Sequence, residues 1–436
     1  MARPRKNAPK PNTQELSLVP VEEQPYPLPE GWKWVRLGDV AEIVTGGTPS
    51  KKNPEFYGGD FPFFKPSDLD AGRHVFLPSE YLTQEGKLQC RIIPANSIGI
   101  CCIGSIGKSG YFDIECTTNQ QINTAIPKFN ALYLYYYTKT ISFTNELWQK
   151  ASATTIAIVN KTKLESCTFP LPPLDEQERI VARIESLFAK LDEAKEKAEA
   201  VLDSYETRKA AILHKAFTGE LTAKWREEKG VALNEWKTFT LQDVCCKKIT
   251  DGTHQTPKYS TPEEGIAFIS SKDVTTGVIN WNNIKYITKE LHEELYARIA
   301  PQRDDVLLAK NGTTGIAALV DTDKVFDIYV TLALLRAERS LITPNYLLQI
   351  INSPICKEQF NSHLTGIGVP NLHLRDIKAV TIPVPPLAEQ QEITRILDIL
   401  LEKEQQSKEA AETVLEQIDL MKRAILAKAF RGELGN

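Results

Sequence analysis

Two stretches of this chain repeat apolar residues at alternating steps of three and four. The first runs through Leu187, Leu191, Ala194, Ala198, Val201, Tyr205 and Ile212, with Arg208 contributing its aliphatic stem. The second runs through Leu400, Ala411, Val414, Ile418, Met421 and Ile425, and is weakened by Glu404 and Ser407. This spacing places one apolar stripe along a helix, so it predicts two coiled-coil helices.

The first of these helices has recognisable ends. Pro172 and Pro173 prevent an earlier start, and Asp175 and Glu176 place negative charge in the first turn, where the helix dipole favours it. The chain then continues without glycine or proline until Gly219, a residue that commonly ends helices. The prediction is a helix of roughly 40 residues and about 60 Å.

The two stretches are copies of each other. Shifting the sequence by 213 positions places residues 172–221 over 385–434 without a gap, and 24 of the 50 positions are identical. Such a repeat implies two large units that end in the same element. We expect the two helices to pair with each other within the chain, because both are held there at high effective concentration, and to pack antiparallel. Two unrelated dimerisation helices are the alternative.

The segments before each helix have a different pattern. Both are rich in Gly, Pro, Thr, Asn and β-branched residues, which predicts short strands and turns with a few helical patches. The fold class is therefore α+β, with two mixed α/β globules joined by the repeated helices. The predicted boundaries are a disordered basic tail at 1–27, a first globule at 28–171, a helix at 172–222, a linker at 223–235, a second globule at 236–384 and a second helix at 385–436.

The two globules share a framework but not a surface. Phe63–Leu69 aligns with Phe268–Val274, and Gly104–Gly110 aligns with Gly312–Ala318, whereas the remaining loops differ. Because loops carry recognition, this pattern predicts that each globule reads a different target.

Composition adds little that is specific. The apolar and charged fractions of 42% and 25% are ordinary for a globular protein, and the apolar runs are too short to predict a membrane span. The eight cysteines lack zinc-site spacing and are expected to be free thiols in a reducing cytoplasm. With a net charge of −4, any polyanion site must be a local patch.

Several motifs resemble a known family. The stretches "LPEGWKWVRLGDVAEIVTGGTPSKKNPEFYGGDFPFFKPSDL", "PLPPLDEQERIV" and "KAAILHKAFTGELTAKWRE" resemble the DNA-specificity subunits of type I restriction–modification systems. "ITDGTHQTPKYSTPEEGIAFISSKDV", "IPVPPLAEQQEI" and "KAFRGEL" are similar to another common version of the same module. The resemblance covers nearly the whole chain from Leu28 onward.

The resemblance implies a non-catalytic protein. Each globule would be a target-recognition domain that reads one half of a split sequence in double-stranded DNA. The repeated helices would form a spacer that docks two N6-adenine methyltransferase subunits, which restriction (motor-nuclease) subunits then join. S-adenosylmethionine is expected on the methyltransferase partners, and no cofactor or metal is expected in this chain.

Residue types suggest which side chains take part. The expected phosphate and base contacts are lysines, amides and hydroxyls in turn-rich segments, namely Ser50, Lys51, Lys52, Lys65, Ser67, Lys108, Asn119, Gln120, Gln121, Thr253, His254, Lys258, Ser270, Lys272, Lys310 and Asn311. The candidates for partner docking lie at the repeated helix ends: Glu176, Gln177, Phe217, Glu220, Glu389, Gln390, Phe430 and Glu433. For the Glu-Gln pairs, capping of the helix is an alternative.

Catalytic motifs are incomplete. Gly107-Lys108-Ser109 resembles the end of a phosphate-binding loop, but Cys102 stands where that loop requires glycine. Asp70 and Glu85 only loosely match a nuclease pattern, and Gly366-Ile367-Gly368 runs into a proline instead of opening a helix. A stand-alone nuclease or methyltransferase and a protein-binding coiled-coil scaffold remain the alternatives.

Overall fold

The structure is a computed structural model that describes residue 16 and residues 18–71, 75, 77–152, 156–362 and 371–435. It divides into two compact units. The first comprises Met1–Ala198 and Thr413–Asn436, and the second comprises Glu199–Glu412. Each unit therefore contains one globule and a part of both long helices.

The first unit contains nine of the assigned strands: β1 (Lys33–Arg36), β2 (Ala41–Thr45), β3 (Tyr57–Phe64), β4 (Glu80–Leu82), β5 (Ser97–Cys101), β6 (Ser109–Phe112), β7 (Thr117–Thr118), β8 (Ile122–Pro127) and β9 (Thr168–Leu171). Its helices are α1 (Leu37–Val40), α2 (Gln84–Lys87), α3 (Ala131–Thr138), α4 (Ile141–Lys150), α5 (Lys161–Glu165) and part of α6 (Leu174–Phe217). Short 3-10 turns cover Val21–Glu23, Pro54–Phe56 and Pro66–Ala71.

The second unit follows the same plan. Its strands are β10 (Lys237–Thr240), β11 (Thr250–Asp251), β12 (Ile266–Ile269), β13 (Lys285–Ile287), β14 (Val306–Ala309), β15 (Ala317–Leu319), β16 (Phe326–Ile328), β17 (Leu332–Leu335) and β18 (Thr381–Val384). Its helices are α7 (Ala223–Lys229), α8 (Lys289–Arg298), α9 (Pro344–Ile351), α10 (Pro354–Ser362), α11 (Leu374–Ala379) and part of α12 (Leu387–Phe430), with 3-10 turns at Leu233–Glu235 and Ser271–Asp273.

The strand order is the same in both units. An antiparallel sheet in the order β2-β8-β5-β6 corresponds to one in the order β11-β17-β14-β15. A smaller sheet, β4-β3-β7, corresponds to β13-β12-β16, and in both the last pairing is parallel. The pairs β1-β9 and β10-β18 close the two globules. This equivalence confirms the predicted α+β fold class and its internal repeat.

Both long helices have 44 residues, or about 66 Å. Each begins directly after a Pro-Pro pair and ends two residues before a glycine with positive φ, Gly219 at 84° or Gly432 at 73°. Because only glycine adopts this conformation without strain, the sequence fixes where both helices stop.

The helices pack antiparallel in each unit. In the first unit Lys422 pairs with Asp192, and Arg179 contacts the carbonyl oxygen of Leu434. Going from Asp192 back to Arg179 along α6 therefore corresponds to going forward from Lys422 to Leu434, so the two segments run in opposite directions. In the second unit, the Nε of Arg208 lies 2.8 Å from Glu404. The predicted antiparallel packing is confirmed within each unit.

The seam differs from the prediction at particular positions. Val414 and Met421 are 37% and 47% exposed, so they lie at its edge. Arg208 contributes its guanidinium as well as its aliphatic stem, because it pairs with Glu404. Glu404 is a residue that was expected to weaken the apolar stripe, and this pair compensates its charge. The hydroxyl of Tyr205 donates to Gln405 in the same layer.

Aromatic side chains at the helix ends anchor the globules. Phe430 of α12 is buried against Tyr133 and Tyr137 of α3 in the first unit. Phe217 of α6 is buried against Tyr346 of α9 in the second unit. The end of one repeated helix therefore forms part of each hydrophobic core.

The helical patches of the two globules, at 130–143 and 344–360, are helical in the structure, and each contains parts of two helices, because Thr140 and Ser353 lie where the chain turns between them. One local prediction needs correction. The predicted tail at 1–27 is folded from residue 18 onward, since Val19 is buried and its N–H donates to the carbonyl of Trp34. Residues 1–15 and Gly366-Ile367-Gly368 lie outside the described residues.

Candidate nucleic-acid interface

Four loops follow equivalent strands in the two units. In the first unit they begin after β2, β3, β5 and β7, and in the second after β11, β12, β14 and β16. The backbone ladders relate Thr45 to Asp251, because Thr45 pairs with Asn123 and Asp251 with Ala333 at the same level of the sheet. The loops of the two units therefore start from equivalent positions in their sheets. We call each set of four loops a loop frame.

A close backbone approach defines the first of these loops. A Cβ atom at Gly46 would overlap the backbone oxygens of Thr118 and Asn119, and one at Gly252 would overlap the backbone oxygen of Ile328. The N–H of Gly47 donates to Thr118 and that of Thr253 to Ile328. Only glycine allows the loop to lie this close to the neighbouring chain.

Next to the first of these loops, the first unit has a network of neutral amides and hydroxyls. The hydroxyl of Thr48 donates to the side-chain oxygen of Gln120, and the amide of Asn119 donates to Gln121 over 3.0 Å. Thr45 donates to Asn123 over 2.7 Å. Gln120 and Thr48 are exposed, whereas Asn119 is buried. Side chains held in this way have fixed hydrogen-bond donors and acceptors.

The second unit has a buried ion pair at the corresponding place. The buried carboxylate of Asp251 lies 3.1 Å from the Nζ of Lys310 and 3.3 Å from the Nε2 of His254. Arg298 donates to the backbone oxygen of Asp251 over 2.9 Å. Lys310 is only 6% exposed, so its charge is compensated internally, while the ring of His254 reaches solvent.

The predicted contact residues of the first unit fall into two groups. Ser50, Lys51, Lys52, Ser67 and Gln120 are exposed. Lys108 and Gln121 are half-buried, and Asn119 is buried. Lys65 pairs with Glu80 of β4 over 2.8 Å, so part of its charge is used within the globule.

The second unit sorts its predicted residues similarly. His254, Lys258 and Lys272 are exposed, and Asn311 is half-buried. Thr253 is buried in the loop, and Ser270 donates to Asp273 as part of a cap. Lys258 lies in a separate loop near β13, since the N–H of Thr288 donates to its carbonyl.

Sequence analysis missed several polar residues of these surfaces. Thr45, Thr48 and Asn123 in the first unit and Asp251 and Arg298 in the second were not singled out. "TGGT" and "TDGT" suggest an alignment in which Gly46 faces Asp251. The strand pairings instead make Gly46 equivalent to Gly252, which is one residue further along the second unit. The motif was visible, but its register was not.

The candidates for partner docking lie at the first and last turns of α6 and α12, and we call these places the repeated corners. Most of their side chains pack inside the chain. Gln177, Glu389, Gln390, Phe217 and Phe430 are all buried. The side-chain oxygen of Gln390 accepts the N–H of Thr343, and that of Gln177 accepts the N–H of Asn130, so both join a long helix to its globule. These five side chains therefore contribute to the internal packing of the chain.

Glu389 is the most enclosed of these groups. Its two oxygens accept from Thr222 and Arg226 over 2.6 Å each and from the indole of Trp236 over 2.8 Å. The repeat counterpart Glu176 is part exposed and pairs with Arg179. Glu220 and Glu433, which are also counterparts, are exposed and remain available for docking.

Burial also determines the chemistry of the thiols. Burial raises the pKa of Cys102, which precedes the loop after β5, to about 11.

Across the described residues, His, Cys, Asp and Glu form no group of three that could hold a metal ion. Within the same part of the chain, every helix is too short or too polar to cross a membrane.

Comparisons with known proteins agree with this arrangement. The family described as "Type I restriction modification DNA specificity domain" matches the chain twice, over residues 29–202 and 234–417. The EcoKI specificity subunit of Escherichia coli K12 is 25% identical over 426 residues, covering 93% of this chain and 90% of that protein. The MjaVIII specificity subunit of Methanocaldococcus jannaschii is 26% identical, covering 90% and 92%.

A solved structure has the same fold. The HsdS subunit from Thermoanaerobacter tengcongensis aligns with a TM-score of 0.66 and 22% identity, covering 95% of this chain and all of that one. The two family matches together span most of the sequence, and each covers one globule with most of the long helix that follows it. The chain belongs to the family of type I restriction–modification DNA-specificity proteins.

Proposed function

We propose that this chain is the non-catalytic subunit that selects the DNA sequence for a type I restriction–modification complex. Each globule reads one half of a bipartite target in double-stranded DNA. The long helices dock two N6-adenine methyltransferase subunits, which carry S-adenosylmethionine and through which restriction subunits join.

The observation that carries the proposal is the pair of equivalent loop frames with unlike side chains. The same strands support both, yet one presents Thr48 and Gln120 and the other presents His254 above a buried Asp251–Lys310 pair. A common frame with different donors and acceptors supports the reading of two different half-sites.

Exposed lysines beside these frames support contact with the DNA backbone. Lys51 and Lys52 follow the Gly46 loop, and Lys272 follows β12. Phosphate contacts of this kind position a protein on the duplex without reading sequence. Because the net charge is −4, binding depends on these local cations and weakens with added salt.

Genome-wide mapping of N6-methyladenine in cells that express this chain with its methyltransferase tests the proposal. The expected result is a split motif with an adenine in each half. Gln120→Ala should relax the base preference in one half only, and His254→Ala in the other, by about 1–3 kcal/mol for each lost base contact.

The two variants control for each other, because each leaves the opposite frame intact. A single continuous motif, or variants that both alter the same half, would contradict the proposal. Methyl transfer by the isolated chain would favour the stand-alone enzyme instead.

A further inference from the structure

A groove in the first unit lies outside the loop frames and next to the repeated corner at the end of α12. It has a volume of about 390 Å³ and lies between the turn that joins α3 to α4, the segment around Tyr26 and the last turns of α12. Its lining includes Tyr26, Lys139, Ile141, Arg423, Ala427 and Arg431. We call this the α4–α12 groove.

The groove is cationic. Lys139, Arg423 and Arg431 line it, and none of the described residues that line it is Asp or Glu. Arg431 lies over the ring of Tyr26, and Lys139 lies over the ring of Tyr135 while its Nζ donates to the backbone oxygen of Ser109. Neither a ring face nor a neutral carbonyl cancels a positive charge, so Arg423 and Arg431 give the groove a positive potential.

The groove also exposes apolar surface. Ile141, which lines it, is 58% exposed, and Leu420, which lies outside the lining but one turn before Arg423 on α12, is 63% exposed. Leu420, Arg423, Ala427 and Arg431 follow one another at steps of three and four, which places them along one face of the last turns. An exposed apolar stripe that alternates with cations is typical of a docking surface for a helix.

The residues of this surface are not repeated at the equivalent positions of the second unit. At the positions related by the 213-residue shift, Thr207, Ala210, His214 and Thr218 replace Leu420, Arg423, Ala427 and Arg431. Asn352 and Pro354 replace Lys139 and Ile141. Because the repeat preserves Phe217 and Phe430 but not this stripe, internal packing does not require it.

We propose that the α4–α12 groove binds an acidic amphipathic helix of a partner protein, once per chain. Glutamate or aspartate side chains of the helix would pair with Lys139, Arg423 and Arg431, and its apolar face would cover Ile141 and Leu420. This interaction goes beyond the proposed function, in which two identical subunits dock at equivalent places.

A labelled helical peptide with leucines on one face and glutamates elsewhere serves as the probe, and fluorescence anisotropy with the full-length chain measures its binding. We expect saturable binding of one peptide per chain that weakens with added salt. Arg423→Ser combined with Arg431→Ser should reduce the affinity at least tenfold, and Ile141→Ser should reduce it separately.

The matched control removes two exposed cations elsewhere, Lys224→Ser with Arg375→Ser, and should leave peptide affinity unchanged. Thermal unfolding checks that every variant is folded. Equal binding by the arginine variant and the control, or no saturable binding by the wild type, would overturn the proposal. So would a short DNA duplex that binds through Arg423 and Arg431 when the peptide does not.

The methylation map separates this proposal from the function proposed above. The arginine variant should methylate the same motif as the wild type, because neither arginine lies in a loop frame. Absence of peptide binding would therefore contradict only the proposed groove. A methylation map without a split motif would contradict only the proposed function.

Discussion

At the scale of single residues, burial decides which charges hold the fold together. Glu389 is fully buried and accepts three hydrogen bonds, whereas its repeat counterpart Glu176 is part exposed and pairs with one arginine of its own helix. The sequence makes the two glutamates identical within the repeat. Their energetic weights differ because only one of them lies in a closed network.

Replacing each glutamate with alanine should show this difference. Glu389→Ala leaves Arg226 buried without its partner, so we expect a loss of about 3–5 kcal/mol in unfolding free energy. Glu176→Ala removes a partly exposed pair and should cost less than about 1 kcal/mol. Chemical denaturation measures both, and equal losses would mean that the network around Glu389 contributes little.

The thiols provide a second test at this scale. Burial raises the pKa of Cys356 to about 12 and that of Cys102 to about 11, so at pH 8 neither carries much thiolate. Cys246 is exposed. Iodoacetamide should therefore alkylate Cys246 first, and the thiolate population of the buried pair should rise only as the pH approaches these values.

Mass spectrometry of the alkylated peptides measures this order. The reaction at Cys102 and Cys356 should become as fast as that at Cys246 only after the chain is unfolded. Rapid alkylation of Cys356 in the folded chain at pH 8 would show that α10 opens readily.

At the scale of elements, the loop after β2 depends on its close contact with β7. A Cβ at Gly46 would overlap backbone oxygens, whereas one at the adjacent Gly47 meets no atom within 4 Å. The two neighbours therefore form a matched pair for testing the loop frame.

Gly46→Ala should displace the loop from β7 and abolish recognition of one half-site, while Gly47→Ala should leave the methylation motif unchanged. Methylation mapping measures both. If Gly46→Ala kept the full motif, the loop would not be part of the reading surface.

At the scale of the whole molecule, the two long helices continue from one unit into the other along the chain. Ala198 and Ala411 are repeat counterparts, and both lie next to the boundary between the units. Inserting seven residues after each of them would lengthen both helices by about 10.5 Å and keep the phase of the seam.

Under the proposed function, this double insertion should lengthen the gap between the half-sites by about three base pairs, since one turn of 10–10.5 base pairs spans about 34 Å. Sequencing of the methylated sites measures the gap. An insertion in one helix alone shifts its seam against the other and should lower the thermal midpoint. An unchanged gap in the double insertion would contradict the role of the helices as a spacer.

The sequence by itself determined the long helices, their ends and the two-unit plan, because a proline pair, a glycine with positive φ and a heptad-like stripe are local signals. It also indicated the family. Only the tertiary structure decided that Gly46 is equivalent to Gly252 and that Glu389 is enclosed. Strand pairing and burial depend on which distant segments of the chain meet in space. The sequence names the side chains of a surface, whereas the fold decides which of them reach solvent.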